Sequence, residues 1–175
     1  LVDGLKFGLQ YIGKNEGSRA VNKQNGDGFG LSLGYNTDIG LGITAAYGSY
    51  DRTTSQVRGG EGSQADAWAT GVKYDANSIY LAATYGQYRN LTYINAAGTV
   101  YADKTKVFEA VAQYTFDFGL TSSLAYVSSK AKDDSNGNND YVTKYVAVSA
   151  GYAFNKNFST FAEYQINLLD SDNDY

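Results

Sequence analysis

The sequence predicts an all-β chain, an antiparallel up-and-down sheet of the kind that forms the wall of a transmembrane β-barrel. Three observations carry that expectation. Apolar residues recur at every second position through nine segments, the connections between segments alternate between short and long, and aromatic residues gather toward both ends of the apolar face.

The segments run Lys6 to Lys14, Gly28 to Asn36, Leu41 to Asp51, Ala65 to Tyr74, Ile79 to Arg89, Lys106 to Phe118, Leu120 to Lys130, Tyr141 to Phe154 and Phe158 to Leu169. At about 9 to 14 residues each, they reach the ~9 to 11 that a tilted strand needs to cross a bilayer; strands of soluble domains are nearer ~5 to 6. Helices are disfavoured because Gly, Thr and Tyr recur inside the segments and the apolar spacing is two. One face carries Phe7, Leu9 and Tyr11, then Leu31, Leu33 and Tyr35, then Ile43, Ala45 and Tyr47, and so on to Tyr164 and Ile166. The other carries Gly8, Gln10, Ser32, Gly34, Thr44, Lys73, Thr84, Glu109, Gln113, Thr121, Ser123, Ser149, Glu163 and Gln165.

Tight turns are expected at Asn36 to Gly40, Asp75 to Ser78, Phe118-Gly119 and Asn155 to Asn157, where Asn, Asp and Gly suit sharp reversals. Long polar links are expected at Asn15 to Asp27, Arg52 to Gln64, Asn90 to Thr105 and Ala131 to Asp140. Strict alternation puts all the turns at one end of the sheet and all the loops at the other. Tyr35, Tyr74, Phe116, Phe118, Phe154 and Phe158 lie at the turn end of the apolar face, and Tyr11, Tyr47, Trp68, Tyr85, Tyr126 and Tyr164 lie nearer the loops. Two belts of amphipathic rings around an aliphatic band are expected at the two membrane interfaces.

Composition narrows the function. The chain of 175 residues has 20 Gly and 17 Tyr with no Pro, Met, Cys or His, and a net charge of −4. A single domain over residues 1 to 175 is expected. Without basic clusters interleaved with aromatics, nucleic acid is not an expected partner. No apolar run is long enough for a helical membrane span. Without His or Cys there is no Ser/His/Asp or Cys/His nucleophile and no ordinary zinc site, so the chain reads as a non-enzyme without cofactor or metal. Glu109 and Glu163 are the only acids expected mid-strand on the polar face, and solvated wall charges suit them better than a catalytic pair. Gly40-Leu41-Gly42-Ile43-Thr44-Ala45 fits the letters of a dinucleotide fingerprint but runs into more strand rather than a helix. The acidic stretches Asp133 to Asp140 and Asp170 to Asp174 do not complete calcium-loop spacing.

Several blocks give the chain a resemblance to a known family. They include Leu1-Val2-Asp3-Gly4-Leu5-Lys6-Phe7, Trp68-Ala69-Thr70-Gly71-Val72-Lys73-Tyr74-Asp75-Ala76-Asn77, Ile79-Tyr80-Leu81-Ala82-Ala83, Phe116-Asp117-Phe118-Gly119-Leu120 and Asp170-Ser171-Asp172-Asn173. Over its whole length the chain resembles the general (OmpC/OmpF-type) porins of enteric bacteria. The resemblance implies a sixteen-stranded, homotrimeric outer-membrane barrel for passive diffusion of small hydrophilic solutes and ions, with outer-membrane lipid and lipopolysaccharide around it. The nine segments then correspond to roughly the seventh through fifteenth strands, with the family's constriction loop and terminal strands absent from this stretch. Lys73, Thr121, Ala147, Phe161 and Glu163 align with positions that line the family's pore; Glu109 and Gln113 join them by strand parity. Lys14, Arg19 and Lys23 would sit at the outer mouth, and Tyr35, Tyr74, Phe116, Phe154, Phe158 and Trp68 in the aromatic girdle. A small closed outer-membrane barrel with a structural or adhesion role and a soluble β-sheet binding module are the alternative readings.

Overall fold

A computed structural model describes residues 3–17, 20–58, 62–94, 100–134 and 137–170. Nine strands form one antiparallel sheet in sequence order: β1 (Leu5–Ile12), β2 (Gly28–Asn36), β3 (Leu41–Asp51), β4 (Gln64–Ala76), β5 (Ile79–Arg89), β6 (Lys104–Thr115), β7 (Leu120–Asp133), β8 (Asn138–Asn155) and β9 (Phe158–Asn167). Each strand pairs with its sequence neighbours, so the sheet is a pure meander. No helix of the described residues is long and apolar enough to cross a membrane, which says nothing about crossing with strands.

The turn end is set by backbone conformation. Between β4 and β5 the chain reverses through Asn77 (φ 56°) and Ser78 (φ 64°), two left-handed residues whose twist matches the flanking strands. Gly40 has φ 85°, and a Cβ there would lie 2.5 Å from the Asp75 carbonyl oxygen, so the β2–β3 turn needs glycine twice over.

The sheet has almost no core of its own. Among the described hydrophobic residues only Ala65, Ala102, Ala131 and Ala147 are buried, whereas Leu9 is 72 %, Leu124 54 % and Val148 48 % exposed. A sheet this apolar on one face needs a covering layer. Among the described residues no second layer is present, which leaves the apolar face to a medium outside the chain.

The strand ends depart from the expected ones in several places: β4 gains residues at both ends and β9 stops at Asn167, two residues early, and three further departures have a visible cause. β1 stops at Ile12, because the Lys14 amide turns to donate to Asp27 Oδ1 at 3.0 Å. β6 runs from Lys104 to Thr115, and Phe116 to Gly119 form the turn, with the Gly119 amide donating to the Phe116 carbonyl. The link expected over Ala131 to Asp140 is largely strand: Ala131 pairs with Asp140 and Asp133 with Asn138, so the β7–β8 hairpin projects past β9, whose ladder ends at Tyr145–Asn167. Polar composition marked that segment as loop, but a projecting hairpin can be polar on both faces. The β1–β2 link also holds a 3₁₀ turn (Val21–Lys23) and the β3–β4 link a short helix α1 (Thr54–Arg58), neither of which periodicity announced.

Candidate functional site: the polar face of the sheet

Residues directly opposite in an antiparallel ladder share a face, so the register fixes which side chains line one surface. Lys73 pairs with Gly42 and Ala82, Ala82 with Val111, Val111 with Ala125, Ala125 with Ala147, and Ala147 with Gln165. Two residues along, Gln113 pairs with Ser123, Ser123 with Ser149 and Ser149 with Glu163; Thr121 pairs with Gly151 and Gly151 with Phe161. Glu109 pairs with Thr84, which pairs with Gly71. All seven wall residues, Lys73, Thr121, Ala147, Phe161, Glu163, Glu109 and Gln113, therefore stand on one face, with Phe161 82 % exposed.

Small residues make the floor of that face. Toward the loops, a groove of about 690 Å³ has Gly8, Gly30, Gly48 and Ala67 beneath it and Tyr50 and Tyr88 at its margin. Toward the turns, a second groove of about 400 Å³ lies over Gly34, Gly42 and Gly71 and carries Lys6 and Lys73. Lys73 Nζ is 3.6 Å from the Asp75 carboxylate, an exposed pair worth little in stability but able to shape a local field. On β9 Gln165 Nε2 donates to Glu163 Oε1 at 3.1 Å. Lys6 was not among the expected wall charges, although its parity with Gly8 and Gln10 identifies it. Among the described residues no three His, Cys, Asp or Glu side chains gather to hold a metal ion.

The loop end is built differently. Gln56 on α1 is fully buried; its Nε2 donates to the Val21 and Gln24 carbonyls at 3.1 and 2.8 Å, and its Oε1 accepts from the Thr53 amide at 2.9 Å. One side chain thus clasps two separate connections. Arg52 is 7 % exposed, donates to the Asn90 carbonyl and stacks over Tyr101 at 4.3 Å. It anchors the β5–β6 link rather than serving as a wall charge. Of the expected mouth residues, Lys14 pairs with Glu16 at 2.8 Å, which raises its pKa, and Lys23 ends the 3₁₀ turn; Arg19 lies outside the described residues.

On the opposite face the register gathers rings at both ends. Tyr114, Phe116 and Phe118 form a cluster of edge-on and tilted rings with centroid distances of 4.7 and 5.2 Å at the turn end, and Tyr152, Phe154 and Phe158 another at 4.8 and 5.1 Å. Tyr35 and Tyr74 stand at the same end of β2 and β4. Trp68 and Tyr85, 5.6 Å apart, and Phe108 and Tyr126, 6.1 Å apart, lie toward the loops.

A meander whose apolar face lacks a protein cover, whose polar face is continuous and whose rings mark two levels has the construction of a membrane β-barrel wall. The chain belongs to the Gram-negative porin family, whose model matches residues 1–175. It is 53 % identical to outer membrane porin PhoE of Escherichia coli K12, covering 99 % of this chain and 49 % of that protein. To outer membrane porin F of Salmonella typhimurium it is 47 % identical, covering 100 % of this chain and 49 % of the relative. A solved structure of Salmonella typhi OmpF in complex with daunomycin superposes with a TM-score of 0.88 at 46 % identity, over 98 % of this chain and 52 % of that one. The chain spans about half the length of the curated relatives it matches. Membership in this family places the chain in the bacterial outer membrane.

Proposed function

We propose that this chain forms one side of a water-filled outer-membrane pore through which small hydrophilic solutes and ions diffuse passively. The observation that carries the reading is the division of the sheet: a continuous polar face, floored by glycine and alanine, backs onto an apolar face with no covering layer of described residues. Lipid satisfies the apolar side only if the other side meets water.

The mechanism is non-enzymatic. Lys6 and Lys73 on the β1–β4 side and Glu109 and Glu163 on the β6–β9 side bias which ions enter through the field they place across the lumen. Thr121, Ala147, Gln113 and Phe161 set its width and polarity, and Lys14, Arg19 and Lys23 sit at the outer mouth. Tyr35, Tyr74, Trp68, Phe116, Phe154 and Phe158 form the girdle. Residues 1–175 are part of one barrel domain, completed by further strands and a constriction loop, and three such barrels associate. Lipid and lipopolysaccharide surround the outer surface.

Single-channel recording in planar bilayers, with the full-length gene product, tests this. Stepwise openings with an ohmic current are expected, and Glu163→Gln is expected to move the reversal potential in a salt gradient toward anions. A correctly folded protein that opens no channels would sink the reading.

A further inference from the structure

The link between β5 and β6 folds back on itself instead of running as plain coil. The Ala102 amide donates to the Thr92 carbonyl at 2.8 Å, the Ile94 amide to the Val100 carbonyl at 3.0 Å, and the Asn90 amide to the Ala102 carbonyl at 3.2 Å. Between these bonds Tyr93 and Tyr101 stand opposite each other as an antiparallel bridge. The flanking bonds run from their neighbours, which makes the two tyrosines a non-hydrogen-bonded pair, the kind whose side chains come closest in an antiparallel ladder.

The two rings have centroids 4.1 Å apart and planes 32° from parallel, and their hydroxyls share a hydrogen bond. Hydroxyls that meet at this ring separation require both rings to point the same way, so the carbons ortho to the two oxygens face each other across the gap. Arg52 holds the arrangement at its base: its guanidinium lies over Tyr101 at 4.3 Å and donates to the Asn90 carbonyl, where the link begins. Among the described residues every other close ring pair contains a Phe or a Trp, so this is the one place where two phenols are in contact. Both tyrosines are half-buried, which leaves them within reach of small solutes.

We propose that Tyr93 and Tyr101 are an oxidative modification site, at which a one-electron oxidant couples the two rings into an intramolecular dityrosine that staples the β5–β6 link. Each phenol gives one electron to an oxidant molecule and its hydroxyl proton to water. The two phenoxyl radicals then join through one ortho carbon of each ring. One C–C bond forms, two ortho C–H bonds break, and those hydrogens return to the oxygens as hydroxyl protons. The sum is a loss of two electrons, taken up by two equivalents of oxidant, and of two protons. The product carries its hydroxyls side by side, the arrangement the pair already holds, so little reorganisation separates reactant from product. The chemistry is independent of the pore reading given above.

The test treats the full-length gene product in detergent with a limiting amount of a photo-generated ruthenium oxidant, persulfate being the final electron acceptor. Trypsin, cutting after Arg89 and Lys104, releases residues 90–104 as one peptide that holds both tyrosines. From the unaltered protein this peptide should be two hydrogens lighter and carry dityrosine fluorescence. Because the partners are held together before oxidation, Tyr93→Phe and Tyr101→Phe, which keep the rings and remove one phenol, should each lower the dityrosine yield of the chain about tenfold. Exchange of the Ile94 and Ala102 amides, whose bonds flank the pair, should slow by about tenfold or more on coupling, since closing a short loop stabilises it, and should not respond to oxidation in Tyr101→Phe. A 90–104 peptide of unchanged mass, dityrosine formed mainly between chains, or an equal yield from Tyr93→Phe would each overturn the proposal, and unslowed exchange in the coupled protein would remove the staple. If a variant does not fold, the peptide map and amide exchange of the unaltered protein decide alone.

Discussion

Ala83 and Thr84 are neighbours on β5 and share one hydrogen-bonded ladder, the first half-buried and the second exposed, yet they belong to surfaces built on opposite rules. On the Ala83 side, side chains are apolar through the middle and aromatic toward both ends, and interactions between them are ring against ring. On the Thr84 side they are small or polar, and contacts are hydrogen bonds and exposed ion pairs such as Ser123–Ser149 at 2.6 Å and Lys73–Asp75. The backbone therefore takes its support from the ladder alone, and each face is free to be matched to its medium. Soluble sheets cannot divide labour in this way, because one face must also build the core.

One charge placed on each side puts the two faces in direct competition. In the full-length protein, Ala83→Arg is expected to cost about 2–4 kcal/mol of unfolding free energy in lipid vesicles, since it puts a guanidinium near the middle of the lipid-facing band. Thr84→Arg, opposite Glu109 on the polar face, is expected to stay within about 0.5 kcal/mol. Equal costs in urea titrations would mean that both faces meet the same medium. A smaller contrast separates two aromatics. Trp68→Ala removes a ring proposed for the girdle and its contact with Tyr85, for an expected loss of about 1–2 kcal/mol, whereas Tyr80→Ala on the polar face should cost less than half as much.

Strand parity made nearly all of this legible in the sequence. A period of two assigns a face to every residue of β2, β3 and β5, whose predicted and observed bounds coincide, and no long-range information is needed for an up-and-down meander. Lys73, Glu109, Gln113, Thr121 and Glu163 take their face from the same parity, whereas Ala147 and Phe161 are implied only by the family resemblance, and the ladder puts them on that face as well. What parity could not reach lies where pairing ends. The β7–β8 hairpin looked like a loop because Ala131 to Asp140 is polar on both sides, and only the ladder from Ala131–Asp140 to Asp133–Asn138 reveals it as strand. Gln56 and Arg52 carry no periodic signal at all. Their roles depend on carbonyls of Val21, Gln24 and Asn90, between 32 and 38 residues away, and sequence spacing contains nothing that pairs them.

Glu163→Gln separates stability from selectivity on the polar face. Its partner Gln165 and its exposure leave little energy to lose, so the unfolding midpoint should hold while reversal potential moves. A large loss of stability would instead assign Glu163 a structural part.

The smallest expected effect tests the seam where the two faces meet the loops. Tyr11 belongs to the apolar face, opposite Phe29, but its hydroxyl donates to Asp27 Oδ1 at 2.7 Å in the adjoining link. That bond is the largest cause holding the Asp27 carboxyl below its ordinary pKa of 3.8, with the Lys14 amide second. The lowered pKa stabilises the folded state above the unfolded value, and the contribution is lost as pH falls through the lower, folded one. Tyr11→Phe keeps the ring in the belt and removes only the donor. The Asp27 titration, followed by carboxyl-carbon NMR, should then move up toward its ordinary value, and the stability gap between the two proteins should close in acid. Since Asp27 is exposed, the shift should also shrink as salt is added. A titration unchanged by Tyr11→Phe would detach the ring belt from the loop layer, leaving the rim of the apolar face to be positioned by lipid alone.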